Sequence, residues 1–167
     1  AHPVVVGRIQ HIGTDPTGTV FTGKFARVWG LAGHPDDPAT ASAIYLNRDA
    51  LDRRGLDQFR EAQAKGWLAP SGPGGDPISY IISHEFGHVL DQHLYETDRD
   101  SYYEAREVMG KEDEPIKEIS IYSTYNRSET FAEAFASHQH TPPDRQADLT
   151  KTLAARFFGP RVPGGIS

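Results

Sequence analysis

The chain has 167 residues, no cysteine, and 17 basic against 23 acidic residues, which gives a formal net charge of −6. This acidic balance argues against nucleic acid or an anionic membrane surface as the main partner. No apolar run approaches the roughly 18 residues of a membrane span. The absence of cysteine excludes disulfides and thiolate metal ligands. We expect one compact domain over residues 1–158, with residues 159–167 as a flexible tail or linker.

The N-terminal part of the chain predicts a small sheet. Val4–Ile12 and Val20–Trp29 are rich in β-branched and aromatic residues and are predicted to be strands. The turn-rich segment 14–18 is predicted to join them as a hairpin. Ala43–Asn47 predicts a third strand, and residues 48–65 predict a helix.

The most specific pattern in the chain is H-E-x-x-H, formed by His84, Glu85 and His88. Asp76 and Pro77 have the residue types of a helix N-cap and first helical position. Histidines four residues apart on a helix share one face, so two imidazoles can hold one metal ion, and Glu85 is placed to take a proton from a metal-bound water. An apolar stripe at helical spacing predicts burial of this helix: Ile78, Ile82, Phe86, Val89 and Leu90.

A glycine within this predicted helix also needs an explanation. Gly87 costs about 1 kcal/mol relative to alanine at an interior helical position. We therefore predict that another segment or a substrate approaches the helix closely there.

A catalytic zinc site has three protein ligands and one open position. A third histidine six residues after His88 is excluded, because Leu94 stands at that position and Asp91 stands where the accompanying glycine would be. His93 is predicted to be a solvated or capping histidine. The third ligand is therefore expected on another segment.

A second helix, predicted over residues 128–140 with Ser128 as its N-cap, carries two candidate carboxylates. Glu129 and Glu133 lie four residues apart and share one face, where like charges repel each other on an isolated helix. Beside a dication they suit one metal ligand and one partner that orients a ligand imidazole. Further helices are predicted over residues 98–110 and 144–158.

Two segments of the chain, 76–94 and 120–137, resemble the catalytic domain of anthrax lethal factor and the related Pro-Pro endopeptidases, which are zinc metallopeptidases of the gluzincin type. The two segments make up about a quarter of the chain, and the similarity is carried by the motifs His84–Asp91 and Tyr122–Phe135 within them. It implies an α+β, zincin-like fold in which a small twisted N-terminal sheet precedes an active-site helix and a C-terminal glutamate helix.

The resemblance also implies individual roles. Glu129 corresponds to the third zinc ligand, Glu133 to the later acid of the motif, and Tyr122 to a tyrosine that assists catalysis. Tyr125, three residues later, competes with Tyr122 for that role. Asp91 is grouped with Glu133 as a residue expected to support the ligands.

Together these residues predict a zinc-dependent endopeptidase acting on a protein or peptide substrate. Zn²⁺ held by His84, His88 and Glu129 activates a water molecule, Glu85 serves as general base, and Tyr122 helps to stabilise the oxyanion. Ala43–Asn47 is a candidate edge strand for binding the substrate backbone, with an ordinary core strand as the alternative.

A non-catalytic zinc-containing module is the alternative function. Four other histidines could close such a site (His2, His11, His138 and His140), although surface positions are expected for the last two. Glu85 favours the enzyme, because a structural site has no use for a general base. The chain is expected to belong to a longer polypeptide, such as a toxin, a secreted effector or a phage virion protein.

Overall fold

The structure is a computed structural model that describes residues 9–33, 43–111, 114 and 116–161. These residues form an α+β fold with a three-stranded sheet and five α-helices. None of the helices in these ranges is both long enough and apolar enough to span a bilayer. Residues 4–8 of the first predicted strand and 162–167 of the predicted tail lie outside the described ranges.

The sheet consists of β1 (His11–Thr14), β2 (Gly30–Ala32) and β3 (Ala43–Leu46), in the order β1-β3-β2. β1 runs parallel to β3, and β2 runs antiparallel to it. The predicted hairpin between the first two strands is therefore wrong, because β3 lies between them. The third predicted strand is confirmed, but it is the central strand and not an edge.

The predicted strand Val20–Trp29 is also wrong. A carboxylate oxygen of Asp15 accepts a hydrogen bond of 2.8 Å from the Val20 amide and closes a turn there. The chain turns again at Gly23, whose φ of 55° favours glycine, and a 3₁₀ turn follows over Gly23–Phe25. The aromatic residues that alternate along Val20–Trp29 therefore do not lie along one strand.

The five helices are α1 (Arg53–Ala64), α2 (Pro77–Thr97), α3 (Arg99–Val108), α4 (Arg127–His140) and α5 (Asp148–Leu153). The predicted start of α2 is confirmed, since the Asp76 carboxylate accepts the Ser79 amide at 2.9 Å and Pro77 is the first residue. The last predicted helix is shorter than expected. It is preceded by a 3₁₀ turn over Pro143–Arg145, and after α5 the chain continues as a π-helical turn over Ala154–Phe158.

The N-cap of α4 differs from the prediction. The side chain of Asn126 accepts a hydrogen bond of 2.9 Å from the Glu129 amide, so Asn126 and not Ser128 caps the helix. Ser128 thereby becomes a residue of the first turn, and its hydroxyl is available for another contact.

The two long helices pack directly against each other. A Cβ atom added to Gly87 would lie 2.7 Å from the Cα atom of Ala132 in α4, so glycine is required for this contact. Phe86 of α2 stacks on Phe135 of α4 with ring centroids 5.4 Å apart. The expectation that another segment approaches Gly87 is confirmed, and that segment is α4.

Burial of α2 extends beyond the predicted stripe. Phe86 and Leu90 are buried as expected, whereas Ile78, Ile82 and Val89 are only half-buried. The side of α2 that faces the sheet is buried as well, through Tyr80 and Ile81. His84 and Glu85 are therefore buried in the fold, while His88 is half-buried.

Candidate metal centre

Two helices bring three side-chain donors to one point. His84 and His88 lie one turn apart on α2, and Glu129 lies in the first turn of α4. Oε2 of Glu129 is 3.2 Å from Nε2 of His84 and 3.3 Å from Nε2 of His88. Within the described ranges, these residues form the group whose donor atoms could hold a metal ion.

The spacing of these atoms fits zinc. Ligand bonds of about 2.0–2.1 Å at tetrahedral angles place two ligand atoms about 3.3 Å apart. Oε2 of Glu129 is buried and makes no hydrogen bond of acceptable geometry, although two imidazole nitrogens lie beside it. An oxygen directed between two nitrogens is arranged as a co-ligand and not as a hydrogen-bond acceptor.

Glu133 supports His84 from the interior. It is fully buried, and its Oε1 lies 3.0 Å from Nδ1 of His84. The same carboxylate accepts hydrogen bonds from the Tyr80 hydroxyl at 3.1 Å and from the Ala69 amide at 3.0 Å. A carboxylate on Nδ1 fixes the tautomer that leaves Nε2 for a metal.

His88 has a different partner, since its Nδ1 lies 3.1 Å from the hydroxyl of Ser128. Asp91, which the sequence groups with the supporting residues, is committed elsewhere: both of its carboxylate oxygens accept hydrogen bonds from Arg106 of α3, at 2.9 and 2.7 Å. This contact with Arg106 corrects the prediction that Asp91 supports the metal ligands. Asp91 joins α2 to α3, and Ser128 supports the second histidine.

The charges of the site shift the pKa values of its members. Burial lowers the pKa of His84, but the Glu129 and Glu133 carboxylates beside its two ring nitrogens outweigh burial and raise it to about 10. Burial raises the pKa of Glu129, but the adjacent imidazoles of His84 and His88 outweigh it and hold that pKa well below its usual range. Without a metal, a proton on His84 therefore compensates the carboxylates.

Glu85 is buried beside this cluster, on the sheet side of α2. Its Oε2 accepts a hydrogen bond of 2.7 Å from the Ala32 amide of β2. A Cβ atom at Gly30 would lie 2.7 Å from Ile81 and 3.2 Å from Oε1 of Glu85, so glycine allows the strand to lie this close to the helix. The carboxylate is thus held by the main chain of the sheet.

Tyr122 packs its ring against His84, with centroids 5.7 Å apart. Burial, followed by the charges of Glu129 and Glu85, raises the pKa of Tyr122, so its hydroxyl stays protonated and able to donate. Tyr125 contacts the Tyr122 ring at 5.1 Å but is 62% exposed. Of the two candidates, Tyr122 lies nearer the ligands.

The remaining histidines have other partners. His93 is buried and lies 3.3 Å from the Thr97 hydroxyl, so the prediction that it is solvated is wrong. His138 and His140 are half-buried, not superficial. His140 bonds Ser83 at 2.8 Å, and His138 contacts the Gly159 carbonyl at 3.2 Å.

Of the two remaining histidines considered from the sequence, His11 lies in β1, and His2 falls outside the described ranges.

Sequence reasoning missed three contributors to the site. Tyr80 precedes His84 by four residues, and this spacing alone could have indicated a neighbour on the same helix face. The roles of Ser128 and of the Ala32 amide depend on tertiary contacts that leave no local signal. Comparisons with protein-family models, with curated proteins and with solved structures found no match.

Proposed function

We propose that this chain is a zinc-dependent endopeptidase of the zincin type, in which His84, His88 and Glu129 hold the metal and Glu85 is the general base. The observation that carries the proposal is the convergence of three donor atoms within 4.8 Å of one another, beside a buried carboxylate that is not one of them. Neutral imidazole and carboxylate donors are the ligands that catalytic zinc takes in peptidases.

Zinc in this site would polarise the peptide carbonyl and lower the pKa of a water molecule toward neutrality. The chain's own base is Glu85. The Ala32 amide holds its Oε2, which leaves Oε1 to accept the proton of the attacking water and to deliver it to the leaving amine. The fixed position of the carboxylate reduces the reorganisation that this transfer requires.

Tyr122 is the proposed donor to the carbonyl oxygen as negative charge develops there. Its raised pKa keeps the hydroxyl protonated at neutral pH, and its ring is placed by contact with His84. A donor directed at an oxyanion in a partly buried site is among the larger contributions to such reactions.

The substrate backbone is proposed to lie along β2. Of the two predicted roles for Ala43–Asn47, the core strand is the one found, because β3 has a neighbouring strand on each side. β2 is an edge strand of the described sheet and is joined to Glu85 through Ala32. Addition of an extended peptide to this edge would bring its carbonyl groups close to the base.

A purely structural zinc site is less well supported. Such sites close the metal with four protein ligands. In the part of the chain that the structure describes, the candidate cluster has three members, and His138 and His140 make other contacts. An open position together with a general base favours catalysis.

The proposal is tested with a diverse peptide library in the presence and absence of a zinc chelator. We expect cleavage that the chelator abolishes. Glu85→Gln should retain stoichiometric zinc but reduce cleavage by at least about a hundredfold, whereas Glu129→Ala should lose zinc. Glu61→Gln, the same chemical change at an exposed position of α1, is the control. Undiminished cleavage by Glu85→Gln would contradict the mechanism.

A further inference from the structure

A cavity of about 180 Å³ lies beside the proposed catalytic groups and is lined in part by His84 and Glu85. Its other walls are mostly apolar. They are formed by Trp29, Phe59, Leu68, Tyr80, Ile81 and Tyr122. Because the cavity begins where the base and a metal ligand meet, it is positioned to receive a side chain of a residue that flanks the cleaved bond.

The inner wall is a chain of aromatic contacts. Trp29 meets Phe59 edge to face at 5.2 Å, and Phe59 meets Tyr80 in the same way at 5.4 Å. Phe59 and Tyr80 are almost completely buried. This wall is therefore fixed by packing in the core, and the cavity is already formed without a ligand.

The outer wall is fixed by two main-chain hydrogen bonds. The Tyr122 amide donates to the Trp67 carbonyl, and the Ile121 amide donates to the Gly66 carbonyl, both at 2.9 Å. The two segments run side by side and each contributes one side chain to the cavity, Leu68 and Tyr122. Trp67 and Ile121 are instead exposed, at 44% and 39%.

The two carboxylates in the walls are held by other groups of the protein. The Glu133 carboxylate bonds His84, Tyr80 and the Ala69 amide. Oε2 of Glu85 bonds the Ala32 amide. A charged side chain inside the cavity would lose its hydration against mostly apolar walls, which is costly, whereas an apolar side chain would not.

The volume indicates which apolar side chains fit. A cavity of about 150 Å³ lined by apolar residues is known to accept benzene. The cavity of about 180 Å³ thus holds a phenyl ring or a branched aliphatic group, while an alanine would leave most of it empty.

We propose that this cavity is a specificity pocket that selects a large apolar residue of the leucine or phenylalanine class next to the cleaved bond. The size of the side chain at Leu68 determines how much of the pocket a substrate can occupy. The inference rests on the proposed endopeptidase function. Large apolar side chains are usually buried in folded proteins, so the substrates are extended or unfolded segments in which such residues are accessible.

The first test measures kcat/KM on a peptide series that varies only the residues flanking the cleaved bond. At one flanking position we expect Leu or Phe to exceed Ala, Asp and Lys by about tenfold or more. Leu68→Phe, which fills the pocket, should reverse the preference between Phe and Ala. Leu153→Ala removes a fully buried leucine of α5, outside the pocket, and should leave the preference unchanged. A preference for Asp would instead indicate Arg27, an exposed residue that also lines the cavity, and would overturn the proposal.

The second test needs neither zinc nor cleavage. The chain contains two tryptophans, so Trp67→Phe leaves Trp29 in the pocket wall as the fluorescent reporter. Titration of this metal-free variant with N-acetyl-leucinamide should change its emission saturably, and Leu68→Phe should abolish the change. Binding without any cleavage of the library would reject the peptidase and keep the pocket. Cleavage without side-chain preference and without probe binding would reject the pocket and keep the peptidase.

Discussion

The two histidines on α2 lie in different surroundings. The His84 side chain is 10% exposed and is held by Glu133, whose carboxylate also binds Tyr80 and Ala69. The His88 side chain is 22% exposed and is held by the hydroxyl of Ser128. The inner half of the site is thus part of the core, while the outer half depends on one neutral contact. Loss of the inner partner should affect both fold and metal, and loss of the outer partner should affect the metal alone.

The largest difference is expected between Glu133→Ala and Ser128→Ala. Removal of Glu133 leaves Nδ1 of His84 and the Tyr80 hydroxyl without their acceptor, although the Ala69 amide still donates to the Tyr80 oxygen. The free energy of unfolding should fall by about 3–5 kcal/mol. Zinc affinity should fall by about 10- to 100-fold. Ser128→Ala should cost less than about 1 kcal/mol, with a smaller loss of affinity. Denaturant unfolding of the metal-free protein and competition with a chelator measure both quantities, and equal effects of the two changes would contradict the comparison.

The tyrosines extend the same contrast to catalysis. Tyr122→Phe removes the hydroxyl of the tyrosine whose ring packs against the inner histidine and should lower kcat on the order of a hundredfold, with zinc content unchanged. Tyr125→Phe removes a hydroxyl from a largely exposed side chain and should change kcat by less than about twofold. The reverse order of effects would assign the donor role to Tyr125.

The last expected effect requires no substitution and concerns the proton on His84. Because the pKa of His84 is raised to about 10, the metal-free site is protonated at neutral pH, and zinc must displace that proton. Apparent zinc affinity should therefore rise about tenfold per pH unit between roughly pH 6.5 and 8.5. Chelator competition at several pH values measures this slope. Ser128→Ala should retain it, whereas a flat profile above about pH 7 would show that His84 binds no displaceable proton.

The sequence predicted the helices well because their signals are local. Asp76 and Pro77 start α2 as expected, and an N-cap acts only on residues two or three positions away. Even the error at α4 is small, since Asn126 caps the helix two residues before the predicted Ser128. The H-E-x-x-H spacing and the position of Glu129 on another helix can likewise be recognised from the amino-acid sequence alone.

The sheet could not be predicted in the same way, because strand pairing joins residues far apart in sequence. β1 pairs with β3 across more than 25 intervening residues, as in the register His11 with Ala43, and nothing local distinguishes this from a hairpin. The role of Ala32 depends on that topology, since its amide reaches Glu85 only after β2 is placed against α2. The pocket has the same origin: its walls come from six separate parts of the chain.

The contact between Gly87 and Ala132 has a consequence for the choice of ion. It joins main chain to main chain, so the gap between α2 and α4 cannot be adjusted by changing a rotamer. A gap of fixed width discriminates cations by radius. We therefore expect the histidines and Glu129 to prefer an ion with bonds near 2.0 Å, because calcium, with bonds of about 2.3–2.6 Å, would have to force the two helices apart.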